Sequence, residues 1–148
     1  MRILEKLTIH IKRFSPEAKI PTYATDGASG ADLYSVVDRV IPSGAFDLIP
    51  TGIAVAIPAG FEAQIRPRSG FALKYGITLL NTPGTIDSDY RGEVKIIVIN
   101  LGEKEFTIKK GMRIAQMVFT KVERVNFQLV NELTQTVRGE GGFGHSNS

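Results

Sequence analysis

The stretch Pro50-Thr51-Gly52-Ile53-Ala54-Val55-Ala56-Ile57-Pro58-Ala59-Gly60-Phe61-Glu62-Ala63-Gln64-Ile65 carries the pattern that decides the fold. A Pro/Gly pair opens it, an apolar run follows, a second Pro/Gly pair interrupts, and an alternation of apolar and polar residues closes it. A short apolar run bounded by turn residues predicts a buried strand, and strict alternation predicts a half-buried one. The same punctuation recurs outward along the chain at Pro42/Gly44, Pro83/Gly84, Gly92, Gly102 and Gly111. Spacings of ~8 to 12 residues between turns belong to sandwiches and barrels of short strands. Leu7 to Ile11 and Val94 to Ile99 read as further strands, the second apolar enough to predict burial on both faces. The one helix expected is Ser69 to Tyr75, with Ser69 as N-cap and Gly76 closing it in a left-handed conformation. The class is therefore all-β with one short helix, in a single domain spanning 1–148. Its glycine-rich end, about 138–148, has too little apolar surface to offset its ordering entropy and is expected to be flexible.

Composition narrows the function classes. With 148 residues, 43% hydrophobic and 22% charged, the chain can bury one core but hardly two. It has no cysteine, which removes disulfides, thiolate metal sites and cysteine nucleophiles, and fits a reducing intracellular setting, cytoplasmic or nuclear. Charges interrupt the apolar residues of MRILEKLTIHIKRF, so no signal peptide is expected, and no run approaches the ~18 apolar residues of a membrane span. The net charge of +3 is compatible with an anionic ligand but carries no basic stripe with interleaved aromatics, so stable nucleic-acid binding is not expected. Two histidines, His10 and His145, offer no zinc spacing. No GxSxG elbow is present, and GEGGFG at Gly139 to Gly144 neither follows a strand nor opens a helix, so it is no Rossmann or P-loop signature.

What remains is a set of polar clusters, each with a bland and a functional reading. Pro67-Arg68-Ser69-Gly70 is either an N-cap beside a solvated arginine or a cradle of N–H groups, hydroxyl and guanidinium suited to a phosphate. In Asn81 to Glu93, Pro83 and Gly84 specify a type II turn and so a hairpin, with Asp87 two to three residues beyond it. That segment is either a hydrophilic surface hairpin or a backbone edge offered to a nucleobase, with Asp87 facing the same cavity. Asp32 in Gly30-Ala31-Asp32-Leu33 is a turn cap or a functional carboxylate. In Arg113-Ile114-Ala115-Gln116-Met117-Val118, alternation sets Arg113 and Ala115 on one face and Ile114, Gln116 and Val118 on the other. Gln116 then either hydrogen-bonds within the core or contacts a ligand.

Taken together the segments resemble the trimeric dUTPase family, whose five motifs appear in order between about residues 20 and 144. GASGADLYS resembles the first, PRSGFALKYG the second, NTPGTIDSDYRGEV the third, RIAQMV the fourth and RGEGGFG the fifth. Two departures stand out: the end His145-Ser146-Asn147-Ser148 where the family has small hydroxyl residues and glycine, and Ser29 and Ser35 where alanine is common.

The resemblance implies a jelly-roll-like β-barrel, a homotrimer with shared active sites, and hydrolysis of dUTP to dUMP and pyrophosphate. It implies Asp87 as general base toward the attacking water, and Mg²⁺ held by triphosphate oxygens with Asp32 reaching it through water. Arg68, Ser69, Gly70 and Gln116 would grip phosphates, and Arg138 would reach the γ-phosphate. Asn81, Gly84, Ile86 and Asp87 would frame the uracil, Tyr90 would lie beneath the sugar, and Phe143 beside Gly144 would stack over the base. Such an enzyme limits uracil entry into DNA and supplies dUMP for dTMP synthesis. Two alternatives are a dCTP deaminase of the same fold and a non-catalytic nucleotide-binding trimer. The Asp87-to-Glu93 run and the glycine-rich end favour the hydrolase.

Overall fold

The computed structural model describes residues 6–144; the expectations for His145 to Ser148 and for the first residues of the chain fall outside them. Eleven strands and one helix follow in order among the described residues. They are β1 (His10–Arg13), β2 (Ala31–Tyr34), β3 (Arg39–Ile41), β4 (Phe46–Pro50), β5 (Ile53–Ala56), β6 (Phe61–Arg66), α1 (Ser69–Tyr75), β7 (Ile77–Leu79), β8 (Gly84–Ile86), β9 (Lys95–Asn100), β10 (Phe106–Ile108) and β11 (Arg113–Lys121). All pairings are antiparallel. They build four sheets in the orders β2-β11-β6-β8, β4-β9-β7, β1-β5 and β10-β3. The all-β class with one short helix is as expected, and no sheet closes on itself among the described residues.

Apolar residues from the inner faces of these sheets meet in one core. Leu33, Ile41, Ile49, Ile53, Ile96, Val98, Ile108 and Met117 are almost wholly buried in it. Burying each such side chain contributes about 1.5–3 kcal/mol, which is how strands mostly of three to six residues hold together beside the longer β11.

Four local expectations are corrected. The first strand is His10–Arg13 rather than Leu7 to Ile11, because His10 to Arg13 are the residues in register with β5. In β9 burial alternates: Ile96 and Val98 face the core, while Ile97 and Ile99 are half-buried and Lys95 is exposed. Only one side of that sheet is covered within the chain. At α1 the N-cap is Arg68, in extended conformation and without a side-chain cap bond, so Ser69 is the first helical residue. Gly76 does close the helix as expected, at φ 68°, with its N–H donating to the Ala72 carbonyl.

The fourth correction concerns Pro83-Gly84. The Thr82–Pro83 peptide is cis, and Gly84 is absent from the left-handed region that the third position of a type II turn requires. β7 and β8 do not pair; β7 joins β9 and β8 joins β6. The segment passes from one sheet to another rather than forming a ladder hairpin. Glycine at 84 serves close packing, since a Cβ there would lie 3.3 Å from the Ile65 Cβ and 3.2 Å from the Asn81 amide nitrogen.

Asn100 ties this architecture at a point no hydrophobic contact could. Its side chain is fully buried; Nδ2 donates to the carbonyls of Ile41 (2.9 Å) and Lys104 (2.8 Å), and Oδ1 accepts from the Gly102 N–H (2.9 Å). Removing it leaves the buried Ile41 carbonyl without this partner and frees the half-buried Gly102 N–H and the Lys104 carbonyl. Asn100→Ala is expected to cost about 3 kcal/mol, read as a lower urea midpoint at unchanged slope.

Candidate functional site

The sheet β2-β11-β6-β8 positions most of the polar clusters. Asp32 of β2 stands opposite Gln116 of β11, which stands opposite Arg66 of β6; one residue further, Met117 faces Ile65 and Ile65 faces Gly84 of β8. A bulge between Arg113 and Ala115 sets this register. It puts Ile114 and Ala115 both in the core and turns Gln116 out of it, so the alternation read from the sequence is wrong by one residue there. Of its two readings, Gln116 is therefore no core residue. Its Nε2 donates to the Pro67 carbonyl at 3.0 Å, and Gly30 packs directly over its amide; a Cβ at 30 would come within 2.9 Å of the Gln116 Cβ.

A first cavity of about 230 Å³ opens beside this row, lined by Asp32, Arg68, Ser69, Gly70, Arg113 and Gln116. Asp32 is no turn cap: it lies within β2 and is buried, at 8% exposure. Its carboxylate stands 3.5 Å from Arg113 Nη1 and 3.9 Å from Arg68 Nε. A buried carboxylate needs such partners, and here the two guanidinia outnumber it, leaving an excess of positive charge over exposed Ser69 and Gly70. Arg68 is held further by donating to the Arg113 carbonyl (3.3 Å) and by lying over the Phe71 ring. This arrangement suits a phosphate. Arg113 was not among the expected site residues. Its signal was available in an arginine at the mouth of a strand whose neighbours are apolar.

A second cavity of about 400 Å³ is lined by Asn81, Gly84, Ile86, Asp87, Tyr90 and Lys95. Ile86 is buried and apolar, Asn81 and Asp87 are exposed at the rim, and Tyr90 is half-exposed. The pocket thus has an apolar wall, backbone edges beside Gly84, and a carboxylate at its mouth. Lys95 was also missed by sequence reading, although it is the single charge within Val94 to Ile99, and Glu93, part of the Asn81 to Glu93 cluster, lines the cavity without having been given a role. Glu93 Oε2 is the one buried side-chain polar atom among the described residues without a hydrogen-bond partner. Gly84 is three strand spacings from Asp32, about 14 Å, so the two cavities are separate features of one chain.

Arg138, Phe143 and Gly144 join neither cavity. Beyond β11 the chain runs as an exposed arm, with Phe127, Leu129, Leu133, Val137 and Phe143 all more than four-fifths exposed. Arg138 Nε donates to the Gly141 carbonyl at 2.7 Å, and Phe143 holds a positive φ of 51°.

The described residues contain no group of three or more histidines, aspartates or glutamates placed to hold a metal ion. Asp32 is the lone carboxylate of the first cavity. A cation whose ligands are mostly phosphate oxygens and water fits that donor set; one held by protein ligands alone does not.

Comparison with known proteins places the chain as a whole. The dUTPase family model matches residues 16–147. The deoxyuridine 5'-triphosphate nucleotidohydrolase of Rickettsia typhi is 53% identical over 146 residues, covering 97% of each chain. That of Syntrophotalea carbinolica is 50% identical over 145 residues, covering 97% of this chain and 99% of its own. Among solved structures, the Staphylococcus bacteriophage 80alpha dUTPase with dUPNHPP superposes with a TM-score of 0.90 at 26% identity, covering 97% of this chain and 100% of that one. With a match across nearly its whole length and relatives at least 50% identical, this chain belongs to the dUTPase family.

Proposed function

We propose that the chain hydrolyses dUTP to dUMP and pyrophosphate, with Asp87 as general base. The observation that carries this reading is the Asp87 carboxylate at the mouth of the cavity framed by Asn81, Gly84, Ile86 and Tyr90, in a chain of the dUTPase family. Asp87 accepts a proton from the water that attacks the α-phosphorus in line, and the bond to the bridging oxygen of pyrophosphate breaks. Its exposure lets a water reach it; nothing in the chain competes for that carboxylate by a hydrogen bond or ion pair among the described contacts.

Uracil recognition falls to the segment Asn81 to Asp87. Backbone groups matched to uracil's O4 acceptor and N3–H donor meet the reversed pattern in cytosine and would be left unpaired, a penalty of up to ~10⁴-fold. The close packing of Gly84 on Ile65 supports a tight wall against the thymine methyl. Tyr90 forms the floor beneath the sugar. Arg68, Ser69, Gly70 and Gln116 grip the phosphates, with Arg113 added to that set by its position beside Asp32. Mg²⁺, when bound through triphosphate oxygens and a water on Asp32, supplies neutralisation of the charge that develops on the leaving pyrophosphate.

The same reading makes the working unit a homotrimer in which sites are shared. Two separate cavities on one chain and an arm with exposed Phe127, Leu129, Leu133 and Val137 support it, since a lone chain would leave that apolar surface in water. On this reading Arg138 of one copy reaches the γ-phosphate and Phe143, beside Gly144, stacks on the uracil of a site built by two others. The chain works as one domain, 1–148, in an intracellular setting. There it limits uracil incorporation into DNA and provides dUMP for dTMP synthesis. No helix among the described residues is long and apolar enough to cross a membrane.

Pyrophosphate release with Mg²⁺ from dUTP, dCTP, dTTP and UTP, with the base products separated by chromatography, tests the assignment. Release from dUTP alone is expected; deamination of dCTP, or binding without turnover, overturns it. Asp87→Asn is expected to lower kcat by about 10³-fold or more while a non-hydrolysable dUTP analogue binds with nearly unchanged Kd. Truncation before Arg138 is expected to leave the oligomer intact in sedimentation yet slow turnover at least about 100-fold, the loss expected when a closing segment is missing.

A further inference from the structure

Residues 87–93 fold back on themselves through short-range contacts. The Tyr90 N–H donates to the Asp87 carbonyl at 3.1 Å, and the Arg91 guanidinium donates to the carbonyls of Ser88 (2.6 Å) and Tyr90 (3.0 Å). At the other end, the Tyr90 hydroxyl donates to the Glu93 carbonyl at 2.9 Å. The phenol ring thus spans the loop, tethered at its backbone and at its tip. Between those tethers it lies directly over Gly92.

Gly92 is not in the left-handed region, so its backbone does not demand glycine. What demands it is the ring. A Cβ at 92 would meet the Tyr90 hydroxyl oxygen first and Tyr90 Cζ at 2.7 Å, and its three nearest heavy atoms all belong to Tyr90. Contacts under 3.0 Å force something to move. The movable part here is a half-exposed side chain with open solvent beside it, not the sheet. A methyl at 92 is therefore expected to lift the ring off the loop and break its bond to Glu93, leaving the sheets in place.

We propose that Gly92 is a positioning residue for sugar specificity: its bare α-carbon is the seat of the Tyr90 ring, and through that ring it sets the discrimination of 2′-deoxyribose from ribose nucleotides. The inference rests on the reading of Tyr90 as the floor beneath the sugar. Steric rejection of a single added hydroxyl requires a wall that cannot yield. A ring tied at both ends and backed by the loop is such a wall. A ring free to swing outward accommodates the hydroxyl.

The test compares kcat/KM for dUTP and UTP in the unmodified chain, Gly92→Ala, Tyr90→Ala and the double variant. Gly92→Ala is expected to lower the dUTP-to-UTP selectivity at least about tenfold, with thermal unfolding nearly unchanged. Adding Gly92→Ala to Tyr90→Ala is expected to change selectivity by less than about twofold, because the ring the methyl would displace is already gone. Unchanged selectivity in Gly92→Ala, or an equal further loss in the Tyr90→Ala background, overturns the proposal. Should Gly92→Ala fail to fold, folding restored by Tyr90→Ala supports the seat, and failure in both backgrounds overturns it. Equal turnover of UTP and dUTP by the unmodified chain removes the reading of Tyr90 itself, before any substitution is made.

Discussion

The register of β11 is the constraint on which the rest of the molecule depends. It is the longest strand, nine residues, and it pairs on both sides, with β2 and with β6. Side chains in a strand alternate faces, so a slip of one residue would bury Gln116 and expose Met117, which is now almost wholly buried. The bulge between Arg113 and Ala115 settles the phase: upstream of it Arg113 faces outward beside Asp32, downstream Ala115 and Met117 fill the core while Gln116 looks toward Pro67. Core packing and the polar row Asp32–Gln116–Arg66 are thereby fixed together. Neither can shift without the other, which holds a buried carboxylate within reach of two guanidinia on different strands and loops.

The two cavities use opposite strategies for their carboxylates. Asp32 is buried and compensated by Arg68 and Arg113, so it helps order the guanidinia it partners. Asp87 stands exposed at a rim and is placed by backbone: it directly follows the edge strand β8, and its carbonyl anchors the turn to Tyr90. One acid is held by charge and the other by chain geometry. This difference leaves Asp87 with its accepting lone pairs available, as the proposed role of base requires.

Much of this was legible in the sequence, and the misses have physical causes. Turn punctuation and β-branched runs revealed the all-β class and several of the strands, because hydrophobic period and Pro/Gly placement are local properties. The helix and its Gly76 closure were legible for the same reason. The cis peptide before Pro83 and the bulge at Arg113 were not, since each is decided by what the neighbouring strands demand of the backbone. Ser69 illustrates the difference: its type suits an N-cap, but the extended backbone of Arg68 takes the position and helical dihedrals begin at Ser69. In the same way Val94 to Ile99 reads as doubly buried, yet the chain covers one face only. The clusters singled out at Asp32, Arg68–Gly70, Asn81–Glu93 and Gln116 do line cavities, whereas the places of Arg113 and Lys95 beside them are set only when distant strands are brought side by side.

The exposed arm beyond β11 has a consequence for the history of each chain rather than for its finished form. Val125, Phe127 and Leu129 recur at every second position, the pattern of a strand that seeks a partner, and they stand in water on an isolated copy. In the proposed trimer, a newly made chain completes its globular part by a first-order process but can cover its arm only by meeting another copy. That second step slows as copies become scarce. At low expression the uncovered interval lengthens, and in that interval the arm is the segment most open to proteases and to wrong partners.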